Sequence, residues 1–321
     1  MSHFRSSSRS SCVALVTGAS AGLGAAIARE LVARRKVSAL VLTARRLDRL
    51  EALAGELKAA DPSLTVETIA ADLAVGQPDA ARHLIDQVAA RQGGLDLLYN
   101  NAGLGLPTLF ADADADQIAR QIAVNLTAPL MLARFSIPLL AARGGMIVNI
   151  GSAISCIPNS ALGAYGATKA ALAYWNDALR RELSSMGVRV CLVEPGPIST
   201  EFSLAVERLV SPGSRPHSVV ETPRPWMVAQ VEDVAGRVVG LIDHPRRRLS
   251  VRRRLVWPLR AAGSLLRFWP SLGDVVVTRL FGVDHAHGNL ADDHHEIARN
   301  ETQEKSELTP SSALPGKGDR E

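Results

Sequence analysis

Val13-Ala14-Leu15-Val16-Thr17-Gly18-Ala19-Ser20-Ala21-Gly22-Leu23-Gly24 is the stretch that decides how this 321-residue chain folds. Five apolar or β-branched residues run into a turn with three glycines, and a helix-forming stretch follows at once. Strand, glycine turn and helix in that order are the context that a dinucleotide pyrophosphate needs. Gly18 permits the tight turn. Gly22 lets the backbone approach a phosphate, and Gly24 lets the helix pack close to the strand. The amides of Ser20, Ala21, Gly22 and Leu23 lie at the N-terminus of that helix, where unpaired N–H groups and a partial positive charge favour an anion. The spacing Gly-x-x-x-Gly-x-Gly differs from the commoner Gly-x-Gly-x-x-Gly. A glycine turn that binds nothing is the plain alternative.

Outward from this turn, short apolar runs alternate with longer amphipathic stretches. The runs are Val13–Thr17, Ala39–Thr43, Leu64–Ala70, Leu95–Tyr99, Met146–Ile150 and Val188–Val193. Near-continuous Val, Leu and Ile at this length suits strands covered on both faces. Between them, Gly22–Val32, Leu47–Ala60, Pro78–Arg91, Asp114–Ala141 and Tyr165–Met186 read as helices. Crossovers this long require parallel strands, so the expected class is α/β, a doubly wound parallel sheet in one domain over residues 12–254. Ligands of such sheets bind at the carboxyl ends of the strands. Six prolines between residues 195 and 230 mark a long loop or lid, about 199–230. Val231–Asp243 reads as a helix and Leu249–Arg254 as a last strand.

Composition excludes several functions. The net charge of +4 is too small to argue for nucleic acid. Cys12, Cys156 and Cys191 are scattered and form no Cys-x-x-Cys pair, which fits a reducing compartment and gives neither a zinc site nor a disulfide framework. Residues 1–11 are rich in Ser and Arg, are read as flexible, and lack the apolar core of a secretion signal. No run of 18 uncharged apolar residues occurs, so no conventional membrane span is expected. The expected location is the cytoplasm.

Arg45 and Arg46 follow the second strand, and the next acid is Asp48. Sheets that prefer NAD place a carboxylate here for the ribose 2′-hydroxyl. A guanidinium instead forks onto a 2′-phosphate, so NADP(H) is expected over NAD(H). Two solvated arginines at a helix start are the bland reading.

Tyr165 and Lys169 are four apart, on one face of a helix. Ser152 lies thirteen residues before Tyr165, just past the strand Met146–Ile150, at the edge where a substrate sits. A carbonyl that accepts hydride must also gain a proton. A phenol with a pKa of about 10 holds that proton but releases it poorly, and a neighbouring ammonium stabilises the phenolate. A shift of three units needs about 4 kcal/mol, which Lys169 and an oxidised nicotinamide ring together would supply in a desolvated cleft. Ser152 orients the substrate oxygen by a hydrogen bond. A lone Tyr-x-x-x-Lys is usually helix surface. Here it follows a strand-end serine and a phosphate turn.

With these motifs in order, the chain resembles the short-chain dehydrogenases/reductases over roughly residues 11–245, with a Rossmann fold. The matching residues are Thr17–Gly24, Asp72 with Leu73, Asn100-Asn101-Ala102-Gly103, Asn125, Ser152, Tyr165 with Lys169, and Pro195-Gly196 with Thr200. The resemblance implies that Asp72 and Leu73 meet the adenine and that Asn101, Ala102 and Gly103 line the adenosine pocket. It implies that Lys169 also holds the nicotinamide ribose, and that Asn125 binds a water linking Lys169 to solvent. Pro195, Gly196, Ile198 and Thr200 would pack at the nicotinamide end, with the substrate lid beyond. Asp114–Ala141 and Tyr165–Met186 would form a homodimer interface. Two departures stand out. Ala21 replaces the family's basic residue before the second glycine, so NADP preference falls on Arg45 and Arg46. The short C-terminal ending of tetrameric members is missing.

Residues 245–273 carry eight arginines and no acid, interleaved with Trp257, Leu259, Leu265, Leu266, Phe268, Trp269 and Leu272. Two readings stand: packing on the catalytic domain or a sister subunit with the arginines snorkelling, or peripheral contact with an anionic membrane through residues 255–281. Packing is favoured. Residues 284–321 read as a disordered tail, whose His285, His287, His294 and His295 are read as solvated, so no metal is expected. The function expected is an NADP(H)-dependent oxidoreductase acting on a carbonyl or alcohol. The alternative is an NADP(H)-binding sensor without turnover, which would not need a proton donor. Phe202, Leu204, Val206, Leu209, Val219, Val220, Trp226 and Met227 in the lid suggest a lipophilic substrate.

Overall fold

A computed structural model describes residues 12–108, 110–159, 162–199 and 228–251, with Arg260 and Gly263. Seven strands form one parallel sheet in the order β3-β2-β1-β4-β5-β6-β7. They are β1 (Val13–Thr17), β2 (Ala39–Ala44), β3 (Thr65–Ala70), β4 (Leu97–Asn100), β5 (Met146–Ile150), β6 (Arg189–Glu194) and β7 (Arg248–Ser250). The helices are α1 (Gly22–Ala33), α2 (Leu47–Ala60), α3 (Asp79–Gln92), α4 (Ala115–Ile122), α5 (Ala128–Arg143), α6 (Gly163–Glu182) and α7 (Val231–Val239). The doubly wound parallel sheet expected from the apolar runs is present.

The central strands are buried on both faces: all residues of β1, β4 and β5 are buried. Their alternate side chains feed two separate cores. Val16, Leu42, Tyr99 and Val148 point to the α1, α2 and α7 side. Leu15, Val41, Leu98 and Ile147 point to the α3 and α5 side. Edge strand β3 is less covered: Val66 and Ile69 are buried on opposite faces, and its ends Thr65 and Ala70 are exposed. In α2, Leu50, Leu53, Ala54 and Leu57 form the buried stripe that a 3.6-residue period dictates. Each such leucine, taken out of water, contributes about 2 kcal/mol.

Several boundaries differ from expectation: α6 runs over Gly163–Glu182 and α7 ends at Val239, and three further differences concern β4, the long helix and β7. β4 starts two residues late because the Asp96 carboxylate, not a backbone carbonyl, accepts the Val13 N–H at 2.8 Å. The single helix expected over Asp114–Ala141 is interrupted: Ala123–Thr127 forms a π turn between α4 and α5. This combined helix, Ala115–Arg143, is long and apolar enough to cross a membrane by composition. Of its apolar positions, Ala128, Leu132, Ala133 and Leu140 lie in the core beside the sheet, and about a third of the span (33%) is buried. β7 is shorter than expected, and residues 252–254 lie outside the described residues, as do the tail and most of the lid and C-terminal extension. Ile198 and Ala229, on either side of those undescribed lid residues, form a β-bridge.

Candidate active site

β1 pairs with β2 on one side and β4 on the other, so the crossovers leave in opposite directions at the carboxyl ends of β1 and β4. That switch point is the crevice where doubly wound sheets bind ligands. The glycine turn sits in it. Gly18 has φ +66°, and a Cβ there would lie 2.9 Å from the Ala102 Cα. A Cβ on Gly24 would lie 2.4 Å from the Gly18 carbonyl oxygen. Gly22 also has positive φ, +54°. No side chain caps α1 at Ala21, which leaves its first amides to an anion.

Asn101 is a brace for this turn. Its Nδ2 donates to the Thr17 carbonyl at 2.9 Å and the Gly18 carbonyl at 3.4 Å. The Thr17 hydroxyl in turn accepts from the amides of Asn101 and Ala102, both at 2.9 Å. The β1 and β4 loops are thereby locked together. Nearby, Arg46 donates to the Ser20 hydroxyl at 3.3 Å, and Arg45 is exposed beside it within electrostatic reach of Asp72. Asp72 accepts the Ala74 amide at 3.0 Å and an ion pair from Arg120 at 2.5 Å. Despite the cost of its partial burial, these partners hold its carboxyl below the ordinary range. Leu73 is buried in the α3-side core. Arg120 carries no motif and was not singled out in the sequence. Only its place on α4, opposite the β3 end, makes it a site residue.

The catalytic set expected from spacing is brought together. Ser152 caps a short 3-10 turn, Ala153–Cys156, by accepting the Ile154 amide at 3.3 Å. Its hydroxyl is hydrogen-bonded to the Tyr165 phenol. Lys169, 4% exposed, donates from Nζ to the Ile150 carbonyl at 2.9 Å, with Nζ 5.9 Å from the Tyr165 ring centre. A methyl on Gly103 would stand 3.7 Å from that Nζ and 3.5 Å from Asn125 Oδ1, so the β4 loop reaches the catalytic helix. Asn125 is fully buried in the π turn. Its Oδ1 accepts the Leu104 amide at 2.7 Å, and its Nδ2 donates to the Leu104 carbonyl at 2.7 Å and the Thr168 hydroxyl at 3.1 Å. Its side chain is thus committed to holding the β4 loop on α6. Pro195 accepts the Ala153 amide at 3.0 Å, tying the β6 end to the Ser152 turn. Gly196 and Ile198 follow on the same edge. Thr200 lies outside the described residues.

The sequence reading lowers the phenol through Lys169 and an oxidised nicotinamide ring together. In the protein alone, burial raises the Tyr165 pKa above its ordinary value, with the Ser152 hydrogen bond opposing that in part. Burial also brings Lys169 itself down to about 8. In a desolvated site each charged form is disfavoured first by loss of water.

A parallel doubly wound sheet with a phosphate-type turn at the switch point and a Ser-Tyr-Lys set at the next strand ends defines a class of nucleotide-dependent oxidoreductases. Residues 12–208 match the family described as short chain dehydrogenase, and the chain belongs to that family. It is similar to a serine 3-dehydrogenase of Agrobacterium fabrum, 36% identical over 195 residues, covering 59% of this chain and 73% of that protein. Among solved structures it is similar to a short-chain dehydrogenase from Sphingobium yanoikuyae in complex with NADPH. The TM-score is 0.64 and the identity 28%, covering 87% of this chain and 99% of that one. It is also similar to a bulky-bulky ketone specific alcohol dehydrogenase from Comamonas testosteroni, with TM-score 0.61 and 25% identity, covering 94% and 97%.

Proposed function

We propose that this enzyme moves hydride between NADP(H) and the carbonyl or alcohol of a lipophilic substrate, with Tyr165 as general acid and base. The observation that carries the proposal is the Ser152–Tyr165 hydrogen bond, with Lys169 buried one helical turn away. The cofactor supplies or takes the hydride. Ser152 orients the substrate oxygen, and Tyr165 gives it the proton. Lys169 holds a positive charge below about pH 8 where the nicotinamide ribose would lie. The uncapped α1 terminus and the glycine cradle fit a pyrophosphate. Arg46, pinned on Ser20, and Arg45 fit a 2′-phosphate, and the similar Sphingobium yanoikuyae structure is in complex with NADPH.

A pocket of about 30 Å³ lies at the first turn of α6, just before Tyr165, with a mixed lining: Leu106, Phe110 and Ile118 beside Asp114, Gln117 and Gln121. The lipophilic substrate is read from the apolar residues of the 199–230 lid, from Phe202 to Met227. An amino acid such as serine would need a cation for its carboxylate. The ketone specificity in the name of the Comamonas testosteroni enzyme agrees in kind. Tyr165→Phe tests the reading: turnover of a 2-alkanone series from 2-butanone to 2-dodecanone should fall by orders of magnitude, with NADPH binding kept. Equal turnover removes Tyr165 from the chemistry.

Further parts of the reading are a cytoplasmic homodimer through α5 and α6, where Tyr174 is exposed, a lid over residues 199–230, and a catalytic domain ending near residue 254. Contact with an anionic membrane through residues 255–281 is tested by liposome flotation of the full chain. Unchanged flotation with Arg260, Arg267 and Arg279 replaced by Gln excludes an electrostatic contact through that segment.

A further inference from the structure

Glu194 ends β6 beside Pro195, and its side chain is wholly buried. A buried carboxylate needs partners, and three residues from beyond α7 supply them. Arg248 donates at 3.0 Å and Ser250 at 3.3 Å. Arg260 reaches both carboxylate oxygens through Nη2, at 2.5 Å to Oε2 and in a shorter contact to Oε1. Arg248 also donates to Asp177 at 2.5 Å, and Arg247 grips the same carboxylate at 2.7 and 3.1 Å. Asp177 stands on α6, the helix that carries Tyr165 and Lys169. A chain of charge therefore runs from the catalytic helix through the sheet edge to Arg260.

Gly263, helical like Arg260 and three residues on, lies on the same face. A Cβ on Gly263 would come 2.0 Å from the Cys156 carbonyl oxygen, so only a bare backbone fits there. The Arg260 guanidinium also lies within electrostatic reach of the Cys156 thiol. Cys156 closes the 3-10 turn that Ser152 opens. Arg260 and Gly263 thus press on the two segments that border the substrate: the Ser152 turn and the β6 end.

We propose that Arg260 is a positioning residue that, with Gly263, clamps the β6 end at Glu194 to the Ser152–Cys156 turn and so holds the two walls of the substrate side of the site. This rests on the reading of that site as carbonyl-reducing. Two readouts on the full chain separate the two ideas. The first needs no turnover: hydrogen exchange of the Ser152–Ile157 amides. It should quicken at least tenfold in Arg260→Met and Gly263→Val, and Arg260→Lys should restore much of the protection. The second is kinetic: Arg260→Met should lower kcat/KM for 2-decanone at least tenfold while the NADPH Kd stays within twofold. Arg260→Lys should recover part of that loss. Unchanged exchange in both variants overturns the clamp whatever the turnover. Faster exchange with kcat/KM within twofold overturns the positioning role. Should the wild type reduce no member of the series, the proposed function fails, and the exchange result still decides the clamp.

Discussion

Gly24→Ala and Gly55→Ala introduce the same methyl group and should act in opposite directions. At Gly24 the new Cβ would stand 2.4 Å from the Gly18 oxygen and 2.6 Å from Asn101 Nδ2, against a working minimum of 3.0 Å. Backbone lies on one side and the turn's brace on the other, so α1 must withdraw from the turn. Overpacking of this kind costs about 1–3 kcal/mol. Loss of the Asn101 bonds to Thr17 and Gly18 adds about 1 kcal/mol, and the helix-propensity gain of up to about 1 kcal/mol offsets part. The melting temperature should fall by about 2–12 °C. The displaced amides should raise the NADPH Kd at least about tenfold, equivalent to 1.4 kcal/mol. Gly55, exposed in mid-α2, has nothing within 4 Å of its Cβ position. Alanine there should stabilise by about 0.5–1 kcal/mol and leave NADPH binding alone. Thermal unfolding and fluorescence titration with NADPH check both. A Gly24→Ala chain that melts and binds like wild type would refute the close approach of α1 to the turn and, with it, the phosphate cradle.

Two further outcomes follow from the charges. Burial holds Lys169 at about 8 against 10.5 in the open chain. Below pH 8 it is charged folded and unfolded, and burying that charge costs about 3 kcal/mol. The cost is relieved as pH rises from 8 toward 10.5, so this group makes stability rise through that window. Activity should go the other way, with kcat/KM for NADPH, which reports the free enzyme, declining above about pH 8. A profile flat to pH 9.5 would exclude Lys169 as the group. Replacing Arg45 and Arg46 together by Asp should weaken NADPH binding about 10–100-fold, the loss of charged hydrogen bonds worth about 1.5–3 kcal/mol, and spare NADH. Titration of both nucleotides reads the ratio, and an unaltered ratio sinks the 2′-phosphate assignment.

What was legible in the sequence shares one physical property: it is local. The glycine turn must be contiguous to bend, Tyr165 and Lys169 must be one helical turn apart, and a strand covered on both faces must be apolar throughout. What escaped is pairing across the fold. Asn101 reads as a pocket residue, yet its amide is spent on Thr17 and Gly18, more than eighty positions away. Asn100, Asn149 and Asn176 form a buried amide chain from β4 through β5 to α6, with links of 2.8 and 2.9 Å that no spacing rule connects. Glu194 reads as the end of a strand, and its arginine partners lie 54 and 66 positions later. The π turn was hidden because Ala123–Thr127 carries ordinary helix formers. Its cause is tertiary, the demand that Asn125 face Leu104 and Thr168 at once.

The raised phenol is the point at which geometry restricts the chemistry most. A reaction that starts from a carbonyl needs Tyr165 protonated, and burial keeps it so past its ordinary value of about 10. A reaction that starts from an alcohol needs the phenolate, which burial opposes and the Ser152 hydrogen bond only partly restores. Burial therefore keeps Tyr165 protonated and makes it a weaker acid. Alcohol oxidation depends on positive charge brought in with the oxidised cofactor, or on alkaline pH. Lys169 limits the second route, because the pH that would ionise Tyr165 has already discharged the ammonium at about 8. Near neutrality the two burial effects leave Tyr165 protonated and Lys169 charged.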